Sequence, residues 1–224
     1  MSQQAVKIAE KSTDKVRQRA PQKRAEETQD HLIAAAIDLF AKHGFDGVSI
    51  RMIETEADVK RGLAAYHFGN KAELWRASMT RLLDTLAHDM AIVDGATDGL
   101  ARLARFHAAI TAFMRFSARH PQLNHVMVQE AKTKSWRADF LIEGFIRPLV
   151  DWTDRLAGFK IDAHTHYIMI GAATFAFNVE YECEALFGIN PREDAFIEEH
   201  AKQVANMLLG NGLSQPLAEL AADA

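Results

Sequence analysis

Apolar residues recur every three or four positions between residues 25 and 43, which predicts an amphipathic helix. Glu26 and Glu27 fall in its first turn, where the partial positive charge of a helix end favours acids. Gly44 follows two basic residues and predicts the end of the helix. The apolar positions are Leu32, Ile33, Ala36, Ile37, Leu39 and Phe40.

Two short helices and a longer one are predicted next. Ser49 can cap a helix over residues 50–57, because its hydroxyl can accept a hydrogen bond from a free amide of the first turn. A break at residues 58–59 separates this helix from another over about 60–68. Asn70, three residues before a glutamate, can cap the longer helix. This succession predicts helix-turn-helix organisation on a three-helix platform.

The remainder of the chain carries helical patterns and no strand pattern, so the predicted fold class is all-α. Asp98, Asp162 and Asn190 can cap helices, with Pro191 in the first turn of the last one. Pro148 lies within a helical pattern and predicts a kink. The predicted breaks are residues 93–99, 120–121, 132–135, 157–163 and 187–191.

Composition narrows the class of protein. The chain has 48% hydrophobic and 25% charged residues, and it lacks the long apolar run of a membrane span and the apolar core of a secretory signal. One cysteine, Cys183, excludes an internal disulfide and fits a cytoplasmic location. His164 and His166 point about 200° apart on a helix and suit one metal ion poorly. We therefore expect no metal and no cofactor.

Positive charge is concentrated at the N-terminus. The chain has a net charge of −4, whereas residues 1–24 hold seven Lys/Arg and two acids, so the other 200 residues carry −9. A basic arm of this kind can be a solvated, disordered tail, or it can follow the phosphates of DNA. The two interpretations are compatible, because such arms are commonly disordered until they bind.

The third predicted helix carries the candidate DNA-binding chemistry. If Ala64 and Phe68 face inward, the other side chains of this helix face solvent, and the helix fits the major groove of B-DNA. Cations and a tyrosine hydroxyl can bind phosphates or guanine edges, and a leucine can contact a thymine methyl group. The predicted outward residues are Lys60, Arg61, Gly62, Leu63, Tyr66 and His67.

The segment VSIRMIETEADVKRGLAAYHFGNKAEL resembles the N-terminal signature of the tetracycline-repressor (TetR) family of transcriptional regulators. The resemblance covers roughly residues 24–74. It implies an all-α homodimer that binds a palindromic operator, represses transcription and leaves the DNA when a small molecule binds the C-terminal domain. It also implies DNA contacts at Ser49, Arg51, Lys60, Arg61, Tyr66, His67 and Lys71, with Tyr66 and Lys71 on phosphates. In the family, the residues at His67 and Phe68 also close the helix against the platform.

This chain departs from the family pattern at several positions. Asp58 stands where the family usually has glycine, and Asp tolerates the left-handed conformation better than most residues. Lys60 replaces the usual Ser/Thr cap, and Ala65 a frequent tyrosine or asparagine. Glu54 and Glu56 make the second helix unusually acidic for an element near DNA. These differences affect base preference rather than the mode of docking.

The predicted C-terminal helices are expected to supply a dimer interface and an effector pocket. The family forms a four-helix interface from two late helices per subunit, here about 163–187 and 191–209; a plain intramolecular core is the alternative. An apolar effector with a few polar handles would lie between helices 100–119, 135–157 and 163–187. Its candidate contacts are Phe106, His107, Ile110, Phe113, Met114, Trp136, Phe140, Trp152, Phe175, Asn178 and Tyr181.

These predictions divide the chain into four parts. Residues 1–24 form a disordered basic arm, 25–72 a DNA-binding domain, 73–210 a regulatory and dimerisation domain, and 211–224 a flexible tail. The favoured function is a ligand-responsive regulator. Two alternatives are a DNA-binding protein whose C-terminal domain takes a protein partner or no ligand, and, remotely, an α-helical enzyme, for which no catalytic motif is present.

Overall fold

The computed structural model describes the backbone of residues 3–158 and 160–209 and the side chains of 22–102, 104–158 and 160–207. Throughout this part of the chain the regular structure is helical and contains no strand. A π-helical turn, Ile142–Ile146, joins α7 to α8. The α-helices are α1 Gln3–His43, α2 Ile50–Glu56, α3 Leu63–Phe68, α4 Lys71–Ala96, α5 Arg102–Arg119, α6 Pro121–Glu130, α7 Trp136–Leu141, α8 Arg147–Ala157, α9 Ala163–Asn178, α10 Glu180–Phe187 and α11 Asp194–Leu209.

Helix α1 begins earlier than its apolar pattern predicts. The periodic apolar positions start at Leu32, whereas the helix extends back to Gln3 through a segment that contains Pro21 but is rich in the good helix formers Ala, Gln, Lys, Arg and Glu. The side chains of residues 1–21 lie outside the described ones. The disorder of the arm and its contact with DNA therefore stay predictions, as does the flexible tail at 211–224.

Two compact units divide at Met79, within α4. In the first unit, Leu32 and Phe40 of α1, Ile53 of α2 and Ala64 of α3 are almost completely buried. Trp75 of α4 is buried as well. Burial of these apolar faces stabilises short helices that would not form alone.

The second unit has its core between α5, α8, α9 and α11. Phe106 and Met114 of α5 pack with Phe177 of α9 and with Ile197 and Val204 of α11. No helix in the described part of the chain is long and apolar enough to cross a membrane.

Three of the five predicted caps, Ser49, Asn70 and Asp162, begin helices, whereas Asp98 and Asn190 do not. Asp162 accepts a hydrogen bond from the Thr165 amide (2.8 Å), and this bond is the main reason why the Asp162 pKa lies below its ordinary value. Asp98 is wrong as a cap, because α5 begins after Ala101, which makes no side-chain capping bond. Asn190 accepts from the amide of Arg192 in a turn, and α11 begins only at Asp194.

Two interruptions shape the later helices. Pro148 falls in the first turn of α8, directly after the π-helical turn, so the helix changes type at this point, and the kink itself stays a prediction. The predicted helix 163–187 is divided at Val179, whose φ of −120° and ψ of 39° are not helical.

Candidate nucleic-acid interface and effector cavity

The start of the turn between α2 and α3 follows the sequence-based prediction. The Ser49 side chain accepts a hydrogen bond from the Met52 amide (3.2 Å) and caps α2. Asp58 has a φ of 50°, the left-handed conformation expected where the family usually has glycine. The Val59 amide donates to the Glu54 carbonyl (3.0 Å), which closes the turn.

Helix α3 is capped by a residue that the sequence interpretation assigned to another role. Its N-cap residue is Gly62, at φ 93°, which has no side chain to offer. Instead, Oε1 of Glu54 accepts hydrogen bonds from the amides of Gly62 (2.8 Å) and Ala64 (3.1 Å). Glu54 is only 4% exposed, so it faces inward rather than adding charge to an outer face. The sequence did carry a signal for this inward position, because helical spacing places residue 54 on the same face of α2 as Ile50, Ile53 and Ala57.

The cations predicted to lie on α3 are found in the turn before this helix. Lys60 and Arg61 are exposed, but they occupy the turn before the first helical residue, Leu63. The prediction that the helix begins near Lys60 is therefore wrong, because the left-handed Gly62 intervenes. Tyr66 is 80% exposed, and Arg51 at the start of α2 is also exposed.

Helical spacing predicted that His67 faces solvent, and the structure corrects this in favour of the packing role that the family resemblance implies. Its Nδ1 lies 3.2 Å from the side-chain nitrogen of Gln29 on α1, and the residue is half-buried. Tyr66 contacts the His67 ring edge-on, with centroids 5.0 Å apart. His67 thus holds α3 against α1 and leaves Tyr66 as the outward aromatic side chain.

Lys71 makes contacts within the protein that its sequence position did not indicate. Its Nζ donates hydrogen bonds to the carbonyl oxygens of Phe45 and Val48, each at 3.0 Å, and lies 4.2 Å from the centre of the Phe45 ring. An ammonium group has three N–H donors, so one remains for a phosphate. The lysine therefore also fixes the loop between α1 and α2.

A small apolar cavity of about 40 Å³ lies inside the second unit. Four predicted contacts line it, namely Phe106, Ile110, Phe113 and Trp152. The other lining residues are Met90, Ala109, Leu149, Thr153, Leu156, His166, Met169, Ile170 and Ala173.

The remaining predicted contacts lie outside this lining. Met114 is fully buried in the core, whereas His107 and Trp136 are exposed and Phe140 is partly buried. Phe175 and Tyr181 are also exposed, at 62% and 84%. Asn178 is half-buried at the end of α9, and its Oδ1 has no hydrogen-bond partner among the described residues. Helical spacing alone does not distinguish the inner face of α9 from its outer face, which is also apolar.

His166 is the polar cavity residue that sequence reasoning missed. It was considered only as a metal ligand paired with His164, which is exposed. Burial lowers the pKa of His166 below its ordinary value, and the nearby Asp154 carboxylate opposes this. A neutral imidazole offers one hydrogen-bond donor and one acceptor to whatever occupies the cavity.

A larger cleft of about 350 Å³ adjoins this cavity. Met90, Leu149 and Trp152 line both spaces. Gly144 and Phe145 of the π-helical turn contribute to the cleft, whose polar residues include Asp84 and Asp94. Asp94 is paired with Arg105 (2.6 Å).

An exposed apolar surface extends over α9 and α10. Tyr167, Phe175, Tyr181, Leu186 and Phe187 are each more than 60% exposed. A concentration of large apolar side chains on two consecutive helices is typical of an association surface.

The described residues contain no group of three or more His, Cys, Asp or Glu side chains arranged to hold a metal ion.

Comparison with known proteins relates this geometry to bacterial regulators. Residues 32–77 match the model for bacterial regulatory proteins of the tetR family. The HTH-type transcriptional regulator RutR of Escherichia coli (strain K12) is 24% identical over 187 residues, which cover 80% of this chain and 87% of RutR. The HTH-type transcriptional repressor NicS of Pseudomonas putida is 28% identical over 170 residues, covering 69% and 77%. The fatty acid degradation regulator FadR of Bacillus halodurans shares the fold, with a TM-score of 0.61, 15% identity and coverage of 82% and 95%.

Proposed function

Because this chain is a member of the TetR family of transcriptional regulators, we propose that it represses transcription by binding a palindromic operator as a homodimer. It is a sequence-specific DNA-binding protein and not an enzyme. Effector binding in the second unit releases it from the operator.

The observation that carries this proposal is the outward surface of the helix-turn-helix. Arg51, Lys60, Arg61 and Tyr66 are exposed around α3, while Glu54 and Ala64 are buried beneath them. Guanidinium groups can read guanine edges, and ammonium and hydroxyl groups suit phosphate oxygens. Ser49 uses its oxygen as an acceptor for the Met52 amide, which leaves its O–H free to donate to a phosphate.

Smaller groups complete the proposed interface. Gly62 is exposed and allows close approach of the backbone to DNA, and Leu63 can contact a thymine methyl group. His67 acts indirectly by holding α3 against α1, and Lys71 adds one N–H to the phosphate contacts.

Quantitative footprinting on the DNA flanking the gene tests this function. We expect a protected, two-fold symmetric site. Arg61→Ala should relax the base preference at one position of each half-site, at a cost of about 1–3 kcal/mol there. Lys134→Ala, which removes an exposed cation from the second unit, serves as the matched control and should leave the base preference unchanged. No protected site, or equal losses in both variants, would contradict the proposal.

The proposed dimer interface is the exposed apolar surface of α9 and α10 together with α11, on which Met207 is 46% exposed. Phe187 is 71% exposed and Tyr181 even more so, and pairing two such surfaces would remove both from water. Two copies of α3 could then read two half-sites. Phe187→Asp should sediment as a monomer in analytical ultracentrifugation. Its operator binding should also be weakened in the footprinting assay. The exposed Val128, which lies on α6, provides a control as Val128→Asp, and this variant should remain dimeric.

The proposed effector is an apolar molecule with a hydrogen-bonding group that reaches His166. The inner cavity is far below the roughly 300–1,000 Å³ of common ligand sites, whereas the adjoining cleft falls within that range. A ligand would therefore occupy the cleft and extend past Trp152 into the cavity, which must expand. Helix α4 lines both spaces with Met90 and begins next to α3, so expansion can alter the presentation of the recognition helix.

A thermal-shift screen followed by operator-release measurements tests this site. A true effector stabilises the folded protein by RT ln(1 + L/Kd), where L is the free ligand concentration, so it raises the melting temperature as its concentration increases, and it weakens operator binding. Ala173→Phe would fill the inner cavity and should abolish both effects while leaving operator binding intact. A compound that raises the melting temperature of Ala173→Phe as much as that of wild type binds elsewhere.

A further inference from the structure

Helix α3 is too short, and buries too few of its own side chains, to be held in place by them alone. It contains six residues, and only Ala64 among them is completely buried. Leu63, His67 and Phe68 are partly buried. A single helical turn and a half is not stable in isolation, so contacts from other elements must fix its position.

The buried carboxylate of Glu54 supplies such a contact at the N-terminal end. Its Oε1 accepts from the Gly62 amide at 2.8 Å and from the Ala64 amide at 3.1 Å. The amide between them, that of Leu63, donates to the Lys60 carbonyl at 3.2 Å. The amides of Gly62, Leu63 and Ala64 at this end of α3 are thereby all hydrogen-bonded. A charged acceptor such as the Glu54 carboxylate makes the stronger class of hydrogen bond.

We propose that Glu54 is a positioning residue for DNA recognition, which fixes the Lys60–Gly62 turn and so determines where the two exposed cations meet DNA. Lys60 and Arg61 lie outside the regular helix, so helix geometry does not constrain them. Gly62 has a φ of 93° and adds no side-chain contact. The hydrogen bonds that the Gly62 and Ala64 amides donate to Glu54 of α2 therefore determine whether Lys60 and Arg61 keep one conformation or several. This inference rests on the proposed docking of α3 in DNA.

Simple electrostatics predicts the opposite result when Glu54 is removed. Loss of an acid near a polyanion should tighten binding, most strongly at low salt. Loss of a positioning contact should weaken specific binding, because the cations no longer match the base edges. The sign of the change separates the two roles.

Glu56 is the matched control, since it is an exposed acid on the same helix. We would measure the affinities of wild type, E54A and E56A for the footprinted operator and for a random duplex at several salt concentrations. For E54A we expect a fall of roughly tenfold or more in the ratio of specific to random affinity, because two amides lose their partner. For E56A we expect that ratio to be unchanged and both affinities to rise slightly at low salt.

E54Q keeps an acceptor oxygen at the same reach without the charge, and it should restore the ratio to within about threefold of wild type. Thermal melts would establish that each variant is folded at the assay temperature, and E54Q keeps the test decisive if E54A does not fold. Tighter binding by E54A, as by E56A, would overturn the inference, and so would a loss in E54Q that is equal on both duplexes. Failure of wild type to bind any operator would instead refute the proposed function.

Discussion

At the scale of single residues, Lys71 has a structural role beside the DNA contact that we propose for it. Two of its N–H donors bind the carbonyls of Phe45 and Val48, and its charge lies over the Phe45 ring. Such contacts hold the loop that leads into α2. The same ammonium has one donor left, which is how a residue can be required by the fold and still contribute to DNA affinity.

Lys71→Ala should therefore change two independent quantities. Loss of two charge-assisted hydrogen bonds should lower the free energy of unfolding by about 1–3 kcal/mol. Loss of one phosphate contact should reduce the slope of log K against log salt by about 0.9. Denaturant titration and salt-dependent binding measure the two effects separately. Unchanged stability would contradict the loop contacts, and an unchanged slope would assign Lys71 to the fold alone.

His166 gives the second unit a sensitivity to acid. Burial lowers its pKa in the folded protein relative to the ordinary 6.5, so the unfolded chain binds the proton more readily. The stability contribution is thus fully present above pH 6.5 and is lost as the pH falls through the folded pKa. His120, whose pKa burial also lowers, with Arg119 adding to the effect and Asp89 opposing it, contributes in the same direction.

His166→Gln should flatten part of this acid dependence. We expect the melting temperature of wild type to fall between pH 7 and 5 and that of the variant to fall less, with His120 accounting for a remainder. His164→Gln changes an exposed neighbour on the same helix and should leave the profile as it is in wild type. Parallel profiles for all three proteins would show that the cavity histidine is not responsible.

At the scale of elements, local signals predicted the starts of some helices and failed where a tertiary contact replaced them. Ser49, Asn70 and Asp162 act as their own caps, so the sequence alone sufficed. For α3 the capping atom belongs to Glu54, ten residues before Ala64. Capping rules consider only residues next to the start of a helix, so they do not predict this contact. The proposed effector site shows the same limit. Packing decides which apolar side of α9 faces α5, as the burial of Ala173 and the exposure of Phe175 illustrate.

The left-handed residue before α3 allows a test at this scale. Gly62 has a φ of 93°, and a Cβ there would meet nothing within 4 Å, so Gly62→Ala costs only backbone strain, about 1–2 kcal/mol. We expect lower stability and weaker operator binding. Gly95→Ala is the control, because Gly95 is helical and equally unobstructed. That variant should gain up to about 1 kcal/mol in denaturant unfolding, so a gain in both variants would contradict the backbone argument.

At the scale of the whole molecule, charge is distributed as the proposed function requires. Seven cations against two acids occupy the first 24 residues, and the other 200 carry a net −9. An acidic body repels DNA except where exposed cations are presented, which favours binding through the helix-turn-helix and the arm over nonspecific adhesion.

Removal of residues 1–20 tests whether the arm contributes. Among the described side chains of α1, which start at Gln22, the buried ones begin at Leu32, so we expect the truncated protein to melt like the full chain. Its affinity for any duplex should fall at low salt, and the salt slope should decrease by roughly 0.9 for each of the five removed cations that touches a phosphate. A full-length variant with those five Lys/Arg changed to Gln separates charge from length and should behave like the truncation. If the truncation binds as wild type at every salt concentration, the arm is a passive extension, and specificity and affinity both arise from the surface around α3.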